Sequence, residues 1–410
     1  MIAHSYRYYS VYSLISQPLK RNFLQKGGKS LKTVGIICEY NPIHLGHARQ
    51  LRWIRQTLGE ETAIVCAMSG NFVQRGAPAI VDKSLRAEAA VRCGADLVVE
   101  LPLPVCLSSA EGFAAGGVAI LSRLCQSLCF GTETAQADQL LRTAQALLSP
   151  EFSQQLRQAL DTGISFPAAR QQALEALGVP SFAQPNDILA VEYAKAILTQ
   201  DSPMELLPLH RPGSYHAQAV QPDAPSATAL RLRMEAGQNW QEFLPECAVP
   251  VLETAPLHTL AAGERAMLAR LRSMTEADFA ALPYGSEGLW RRLYHACRRE
   301  SSLEDILTAV KSKRYTRTRL DRMVMCAFLG LSLTDMEQPI PYARVLSCSS
   351  RGRTLLASVR KSGFFQNPGV DTHHPHWDME QRCQDLYDLF QCGDIPPAGA
   401  EKRRRIRCLP

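Results

Sequence analysis

The sequence predicts an α/β protein in which a Rossmann-like, doubly wound parallel sheet is followed by a mostly α-helical C-terminal domain. Two observations predict the sheet. Short apolar runs without polar alternation recur between Val34 and Phe130, and such runs are typical of strands buried on both faces. Helix-like segments separate the runs, and this strand–helix alternation is typical of a parallel sheet covered by helices.

The first elements follow one another in a regular order. The first strand is predicted at Val34–Cys38 and the helix after it at Ala48–Leu58. The second strand is predicted at Ala63–Met68, and the helix Asp82–Cys93 after it is ended by Gly94. Because ligands of doubly wound sheets bind beyond the carboxyl ends of the strands, we expect the site in the turns that follow them.

The later elements continue this pattern and then depart from it. A helical pattern, Ser108–Cys125, lies between the third and fourth predicted strands, Asp96–Leu101 and Ser127–Phe130. From about Pro150 the chain is mostly helical. The remaining predictions are a helix at Ile188–Leu198 capped by Asn186 or Asp187, a fifth strand at Leu206–Leu209, and a helix that begins at Ser226.

Three regions are predicted along the chain. Residues 1–32, with six basic and no acidic residues, are predicted to be a disordered extension or the product of a wrongly chosen start codon, and a transit peptide is the alternative. Residues 33–236 are predicted to form the domain that contains the parallel sheet. Beyond residue 237 no strand–helix alternation is apparent, so residues 237–410 are predicted to form a helical, basic domain.

Composition excludes several classes of protein. The chain has 410 residues, of which 46% are hydrophobic and 20% are charged, and this excludes collagen-like and disordered proteins. No uninterrupted apolar run approaches the ~20 residues of a membrane span. The 13 cysteines include no C-x-x-C pair, which indicates free thiols in a reducing cytoplasm. The net charge of +6 permits a nucleic-acid partner without requiring one.

The sharpest motif is His44-Leu45-Gly46-His47, directly after the first strand and at the start of a helix. Both imidazoles then lie near a helix N-terminus, which attracts anions through its free N–H groups and its dipole. The glycine lets a phosphate approach the backbone, and the imidazoles can donate hydrogen bonds as charge builds in a transition state. The alternatives are surface histidines that cap a helix, or a zinc site, for which no third ligand has a fitting spacing.

A second motif, Ser226–Arg231, lies at another predicted helix start. Two hydroxyls, Ser226 and Thr228, and one guanidinium, Arg231, form a clamp that suits the outer phosphates of ATP. A serine cap followed by a surface arginine is the alternative. The two motifs together resemble the H-x-G-H nucleotidyltransferases and class I aminoacyl-tRNA synthetases, with Ala227 as a departure from their second motif. The resemblance implies that residues 33–236 form a nucleotidyltransferase-like, ATP-binding domain.

Further blocks narrow this resemblance to the tRNA(Met) cytidine acetate ligase family over roughly residues 33 to 330. The first block, Gly35–His47, departs from that family at Ile43 and Leu45. The other matching blocks are Ser69–Arg75 with Pro78 and Lys83, Gly94–Pro102, Phe130–Glu133, Pro185–Leu189, His210-Arg211, Ser286–Gly288 and Lys311–Arg319.

The resemblance implies a two-step ligation. Acetate is activated with ATP to acetyl-adenylate, pyrophosphate is released, and the acetyl group passes to the 4-amino group of the wobble cytidine of elongator tRNA(Met). The nucleotide contacts that the resemblance implies are Val34, Gly35, Ile36, Ile37, Cys38, Glu39, Tyr40, Asn41, Pro42, Ile43, His44, Leu45, Gly46, His47, Gly131, Asn186 and Arg211.

Roles for these side chains follow from their chemistry. We expect His44 and His47 to bind the α- and β-phosphates, and Gly131 and Asn186 to contact adenosine. The candidates for the outer phosphates are Lys83, Arg211, Ser226, Thr228 and Arg231. Mg²⁺ is expected to accompany ATP, held by phosphates and water rather than by protein ligands.

Positive charge is concentrated in residues 291–322, where ten basic residues stand against four acidic ones. Interleaved tyrosines suit a stacked base, so this cluster predicts an RNA interface. A solvated helical face is the alternative, and a second patch at Lys402–Arg407 is predicted to be a disordered tail. The predicted tRNA contacts are Arg291, Arg292, Lys311, Lys313, Arg314, Tyr315, Arg317 and Arg319.

Two other functions stay open at this point. One is a nucleotidyltransferase that acts on a small phosphorylated cofactor precursor, which needs both motifs but not the basic region. The other is a non-catalytic RNA-binding protein that senses a nucleotide. The sequence leaves open whether the protein is a homodimer.

Overall fold

The computed structural model describes residues 31–133, 136–210, 226–312, 315–369 and 372–410. The strands are β1 Thr33–Cys38, β2 Ala63–Ser69, β3 Phe72–Val73, β4 Ala77–Pro78, β5 Leu97–Leu101, β6 Ser127–Thr132, β7 Glu205–His210, β8 Ala343–Cys348, β9 Phe365–Gln366 and β10 Arg407–Cys408. The first nine α-helices are α1 Leu45–Leu58, α2 Lys83–Arg92, α3 Leu103–Cys106, α4 Ala110–Leu121, α5 Ala137–Leu147, α6 Pro150–Asp161, α7 Phe166–Ala176, α8 Pro185–Thr199 and α9 Ala227–Glu235. The others are α10 Val249–Leu252, α11 Leu260–Ser273, α12 Glu276–Ala280, α13 Leu289–Arg299, α14 Leu303–Val310, α15 Arg317–Leu329, α16 Leu333–Glu337, α17 Ser350–Val359, α18 Pro375–Tyr387 and α19 Ala400–Arg403.

The central sheet has the order β10-β8-β5-β2-β1-β6-β7, and β9 pairs with β8. Strands β5, β2, β1, β6 and β7 run parallel to one another. The chain order reverses between β1 and β6, which makes the carboxyl ends of these two strands the switch point where ligands of such sheets bind. The predicted Rossmann-like fold is confirmed.

Helices cover both faces of the sheet because the strand side chains alternate. Val34 and Ile36 of β1 pack into one core, with residues of α1, α2 and α9, while Ile37 packs into the other, with α4 and α8. Helix α4 approaches the sheet closely, since a Cβ at Gly117 would lie 2.4 Å from Ile37 Cδ1. Two apolar layers therefore hold β1 and fix the turn that follows it.

The region after residue 237 is mostly helical, as predicted, but it also contributes the strands β8, β9 and β10. Helices α11 and α13 to α15 share a third core with α18. Residues 343–408 then return to the sheet: β8 pairs antiparallel with β5, and β10 pairs with β8. The sheet is thus not confined to residues 33–236, and Lys402–Arg407 is a helix end and a strand start rather than a disordered tail.

One smaller difference concerns the start of a helix. Helix α8 begins at Pro185 with Gln184 as its N-cap, so the predicted caps Asn186 and Asp187 are wrong and lie inside the first turn. Ser226 does cap α9, where its hydroxyl accepts a hydrogen bond from the N–H of Ala229.

Within the described ranges, none of the helices combines the length and the apolar character that a bilayer crossing requires.

Candidate active site

A cavity of about 550 Å³ opens at the carboxyl ends of β1 and β6. It lies at the switch point of the sheet, as the topology requires. The predicted site residues that line it are Ile36, Ile37, Cys38, Glu39, Tyr40, Asn41, His44, His47, Gly131, Asn186, Ser226, Thr228 and Arg231. The structure therefore brings both sequence motifs to one cavity.

The histidine pair is built by the start of α1. His44 is the N-cap, and its Nδ1 accepts a hydrogen bond from the N–H of Gly46 at 3.1 Å. His47 Nδ1 accepts from the N–H of His44 at 3.3 Å, which completes a reciprocal capping arrangement. Because each Nδ1 accepts, we infer that the neutral rings carry their protons on Nε2.

The two rings are held in a fixed stack. Their centroids lie 3.7 Å apart with 26° between the ring planes, and Tyr40 meets the His47 ring edge-on at 4.9 Å. His44 is buried although it lines the cavity. An N–H donor that is oriented before a ligand arrives is the arrangement that stabilises developing negative charge.

The second motif reaches the same cavity from α9. Arg231 Nη1 donates to the backbone oxygen of Asn41 at 2.8 Å, and its Nη2 donates to Thr228 Oγ1 at 3.1 Å. Arg231 thus ties the start of α9 to the turn after β1. Together with Ser226, these side chains place one guanidinium and two hydroxyls on this side of the cavity, a combination that suits phosphate oxygens.

The other end of the cavity combines an amide with apolar side chains. Asn186 Nδ2 donates to Glu133 Oε1 at 2.6 Å, and Glu133 Oε2 accepts from the N–H of Asp187 at 3.2 Å. Glu133 therefore satisfies the start of α8. Apolar side chains also line this end of the cavity, and the sequence did not predict this role because their spacing is that of ordinary core residues. They are Phe113, Phe130, Ile188, Leu189 and Tyr193.

Not every residue of the stretch Val34–His47 faces the cavity. Its lining omits Val34, Gly35, Pro42, Ile43, Leu45 and Gly46. Val34 and Ile43 are core residues, and Gly46 acts through the N–H that it donates to His44. Arg211 lies outside the described residues.

Lys83 corrects a prediction. It does not line the cavity of the histidines, because its amine makes ion pairs with Glu100 Oε1 at 2.6 Å and Glu401 Oε1 at 2.5 Å. Lys83 is 3% exposed. Burial alone would lower the pKa of this amine, but Glu100 and Glu401 raise it above its ordinary value. A charged lysine that is already paired twice is not a phosphate ligand, so we assign it no role in the site.

The basic cluster divides into inward and outward residues. Tyr315 is 5% exposed and cannot stack on a base, and Arg317 is paired with Glu304 at 2.7 Å and Asp321 at 2.8 Å. Arg319 donates to the backbone oxygen of Tyr284 and to Ser286 Oγ. The residues that face solvent are Arg291, Arg292 and Lys311, while Lys313 and Arg314 lie outside the described residues.

The described residues include no group of three or more His, Cys, Asp or Glu side chains that could hold a metal ion. Glu39 and Glu133 are the carboxylates that line the cavity, and each already accepts a backbone N–H. This donor set fits a metal ion held chiefly by a ligand's own phosphates and by water.

Comparison with known proteins decides the family. Residues 31–396 match the family model described as HIGH Nucleotidyl Transferase. A tRNA(Met) cytidine acetate ligase of Syntrophotalea carbinolica is 37% identical over 350 residues, which cover 81% of this chain and 83% of the relative. This chain belongs to the tRNA(Met) cytidine acetate ligase family. The predicted resemblance is confirmed, and the match extends beyond residue 330.

Other members are similar to the same extent. A tRNA(Met) cytidine acetate ligase of Clostridium novyi is 34% identical and covers 81% of this chain and 88% of its own length. The crystal structure of Thermotoga maritima TmcAL bound with alpha-thio ATP superposes with a TM-score of 0.81 at 27% identity, over 92% of this chain and 100% of that one. The chain is therefore a ligase with the nucleotidyltransferase fold.

Proposed function

We propose that this protein uses ATP to join acetate to the 4-amino group of the wobble cytidine of elongator tRNA(Met), forming N4-acetylcytidine in the cytoplasm. One observation carries the proposal: the stacked pair His44 and His47 shares a single cavity with Ser226, Thr228 and Arg231. The names of the relatives and the ATP analogue in the Thermotoga maritima structure support it.

In the first step, an acetate oxygen attacks the α-phosphorus of ATP and pyrophosphate leaves. Negative charge grows on the phosphoryl oxygens, and the Nε2–H groups of His44 and His47 donate to them. Arg231, with Ser226 and Thr228, holds the outer phosphates, which leave as pyrophosphate. Mg²⁺ would neutralise phosphate charge there, bound by the phosphates and by water.

Adenosine occupies the other end of the cavity in this proposal. Phe130 and Leu189 provide apolar surfaces for the base, and Gly131 leaves room for close approach. Asn186 is oriented by its bond to Glu133, so its amide oxygen is directed by the protein rather than by the ligand. The base and the phosphates then lie at opposite ends of the cavity, which opens at the switch point between β1 and β6.

The tRNA is proposed to bind the outward face of the basic cluster, through Arg291, Arg292 and Lys311. Its phosphates would contact these side chains, and the affinity would fall steeply with salt. The first turn of α15 supports this placement, because Thr318 lines the cavity while the same segment carries the cluster. This connection also favours the ligase over a nucleotidyltransferase for a small precursor, which has no use for a basic surface beside the cavity.

The decisive experiment measures the two steps separately. Acetate-dependent ATP–pyrophosphate exchange tests activation, and labelled acetate with ATP and total tRNA, followed by nucleoside analysis, tests transfer. We expect exchange with acetate and label in N4-acetylcytidine. Exchange that depends on a phosphate ester would support the small-precursor enzyme, and no adenylate with any carboxylate would support a nucleotide sensor.

A further inference from the structure

One wall of the cavity has no part in the proposed ATP contacts. It consists of the β3–β4 hairpin and the first turn of α15, through the side chains of Val73, Gln74, Arg75, Ala77, Pro78 and Thr318. The hairpin follows β2, so it lies beside the turn after β1 that carries Glu39. A second substrate must reach the activated acetyl group, and this wall is the side of the cavity that the nucleotide leaves for it.

The wall is held rigidly against α15. Gly76 adopts φ +76, and a Cβ there would lie 2.4 Å from the backbone nitrogen of Arg322 and 2.5 Å from the carbonyl carbon of Asp321. Only glycine therefore fits this contact without displacement of the helix. Arg322, itself buried, donates through Nη1 to the backbone oxygen of Gln74 at 3.3 Å. The hairpin and the tRNA-binding region thus form one surface.

Two polar groups stand together at the foot of this wall. The backbone N–H of Gln74 donates to Glu39 Oε1 at 3.0 Å, which brings the carboxylate beside the hairpin. The side-chain amide of Gln74 and the second carboxylate oxygen of Glu39 make no hydrogen bond with any described residue, and both side chains are half-buried in the cavity lining. Because the Gln74 backbone contacts Glu39 and both residues line the cavity, the wall offers amide donors and a carboxylate acceptor to one ligand.

This pair matches the pairing edge of cytosine, which offers two acceptors, N3 and O2, and one donor, the 4-amino group. We propose that the β3–β4 hairpin wall is the cytosine subsite, where the Gln74 amide donates to the ring acceptors and the Glu39 carboxylate accepts from the 4-amino group. Uracil carries an oxygen in place of that amino group, and a carboxylate facing it would repel it. This subsite rests on the proposed function and explains why the enzyme selects cytosine over uracil.

The same contact places a base for the transfer step. The lone pair of the 4-amino nitrogen attacks the carbonyl carbon of acetyl-adenylate, a C–N bond forms, and the C–O bond to AMP breaks with its electrons going to AMP. The nitrogen loses one proton to Glu39, which releases it to water. Glu39 is then a catalytic residue of the second step, and Gln74 is the residue that orients the base.

The test compares activation with transfer in Gln74→Ala, Gln74→Glu and the control Gln154→Ala, an exposed glutamine on α6. Loss of a base contact costs about 1–3 kcal/mol, so acetyl transfer to tRNA falls about 5–150-fold in both Gln74 variants. Acetate-dependent pyrophosphate exchange stays within about threefold of the wild type, as an orienting role in the second step requires. Equal loss of exchange and transfer would overturn the subsite.

A modified substrate makes the test specific to the base. An anticodon stem-loop with 3-deazacytidine at the wobble position lacks the N3 acceptor, so the wild type transfers acetate to it more slowly. Gln74→Ala, which lacks the donor, shows no further loss with this substrate. A full additional loss in that variant would place N3 against another residue and refute the assignment.

Glu39 is tested by the ratio of two acceptors for the same adenylate. Hydroxylamine is a strong nucleophile that needs no protein base, and it traps acetyl-adenylate as acetohydroxamate. In Glu39→Gln the ratio of tRNA transfer to acetohydroxamate falls at least about tenfold, since a general base contributes about 10²–10⁴-fold. An unchanged ratio would remove Glu39 from the transfer step. Absence of acetate-dependent exchange in the wild type would instead refute the proposed function itself.

Discussion

Two polar regions lie near the carboxyl ends of the parallel strands, and they differ in the space that the fold leaves beside their charged side chains. In the histidine cavity, about 550 Å³ of space separates the start of α1 from the start of α9. In the buried ion cluster, which we define as Lys83, Glu100, Arg344, Glu401 and Arg404, the neighbouring cavity is about 20 Å³. The first region has room for a substrate, whereas the second is filled by its own counter-ions.

The difference teaches that charge at a sheet edge marks a site only where the fold leaves room for a ligand beside it. Glu401 is fully buried and pairs with three cations, Lys83, Arg344 and Arg404. Burial would raise the pKa of this carboxyl, but the three cations lower it to about 2. In the histidine cavity, by contrast, Arg231 donates to a backbone oxygen and a hydroxyl and lines open space that a ligand can enter.

Removing the centre of the buried ion cluster gives the largest expected effect. Glu401→Ala leaves Lys83, Arg344 and Arg404 buried without their shared counter-ion, which costs about 3–5 kcal/mol of the free energy of unfolding. Urea denaturation measures it. The matched control is Glu304→Ala, because the exposed pair Arg317–Glu304 is worth at most about 1 kcal/mol. Similar losses in the two variants would remove the contrast between buried and exposed pairs.

The substitution His47→Ala tests the role of the histidine cavity in adenylate formation. Removing one preorganised donor lowers the rate of adenylate formation about 10²–10³-fold. Acetate-dependent ATP–pyrophosphate exchange measures this rate, while tRNA binding measured by filter retention stays near that of the wild type. The control is His373→Ala, which removes an exposed imidazole. Equal loss of exchange and tRNA binding would contradict the assigned role of His47.

Lowering the pH tests the buried ion cluster, because the carboxyl of Glu401 loses its charge in acid. The folded-state pKa of Glu401, about 2, lies below its ordinary value of 4.5, so its contribution is present above pH 4.5 and is lost as the pH falls toward 2. The shift corresponds to about 3 kcal/mol. Denaturation curves at several pH values measure the loss. Glu401→Gln should flatten this dependence, and an unchanged slope would mean that other carboxyls dominate.

The smallest expected effect concerns the outward face of the basic cluster. Replacing Arg292 and Lys311 by alanine removes two phosphate contacts and lowers the salt slope of tRNA binding by about 2. Affinities measured over a range of KCl concentrations give this slope. Arg157→Ala, on α6, serves as the control for loss of an exposed arginine. An unchanged slope would mean that Arg292 and Lys311 belong to a solvated helix face and do not contact tRNA.

The parts of the fold that could be predicted from sequence have local signatures. The run Val34–Cys38 contains no polar alternation, and this alone indicates a strand that is buried on both faces. His44 and His47 lie three residues apart at a helix start, so their stacking needs no distant partner. The strand β8 has no such signature, because its place is set by antiparallel pairing with β5, more than 200 residues earlier in the chain.

The wrong site predictions share this cause. Lys83 stands at a helix start, where a lysine suits a phosphate, and its partner Glu401 is 318 residues away in the chain. Tyr315 lies in a basic run, where an aromatic side chain suits a base, and yet its ring fills the helical core and its hydroxyl donates to the backbone oxygen of Glu287. Local chemistry predicted what these residues could do, but the distant contacts decided what they do.

The insertion of β8 beside β5, with β10 beside it, also bears on how the protein is made. During synthesis, Lys83 and Glu100 emerge from the ribosome long before Glu401, so the nascent sheet exposes an unpaired edge and two charges that later become buried. A nascent chain of this kind needs protection from aggregation until the last strands arrive. Production of the protein should therefore respond to chaperone supply more than its native stability would suggest.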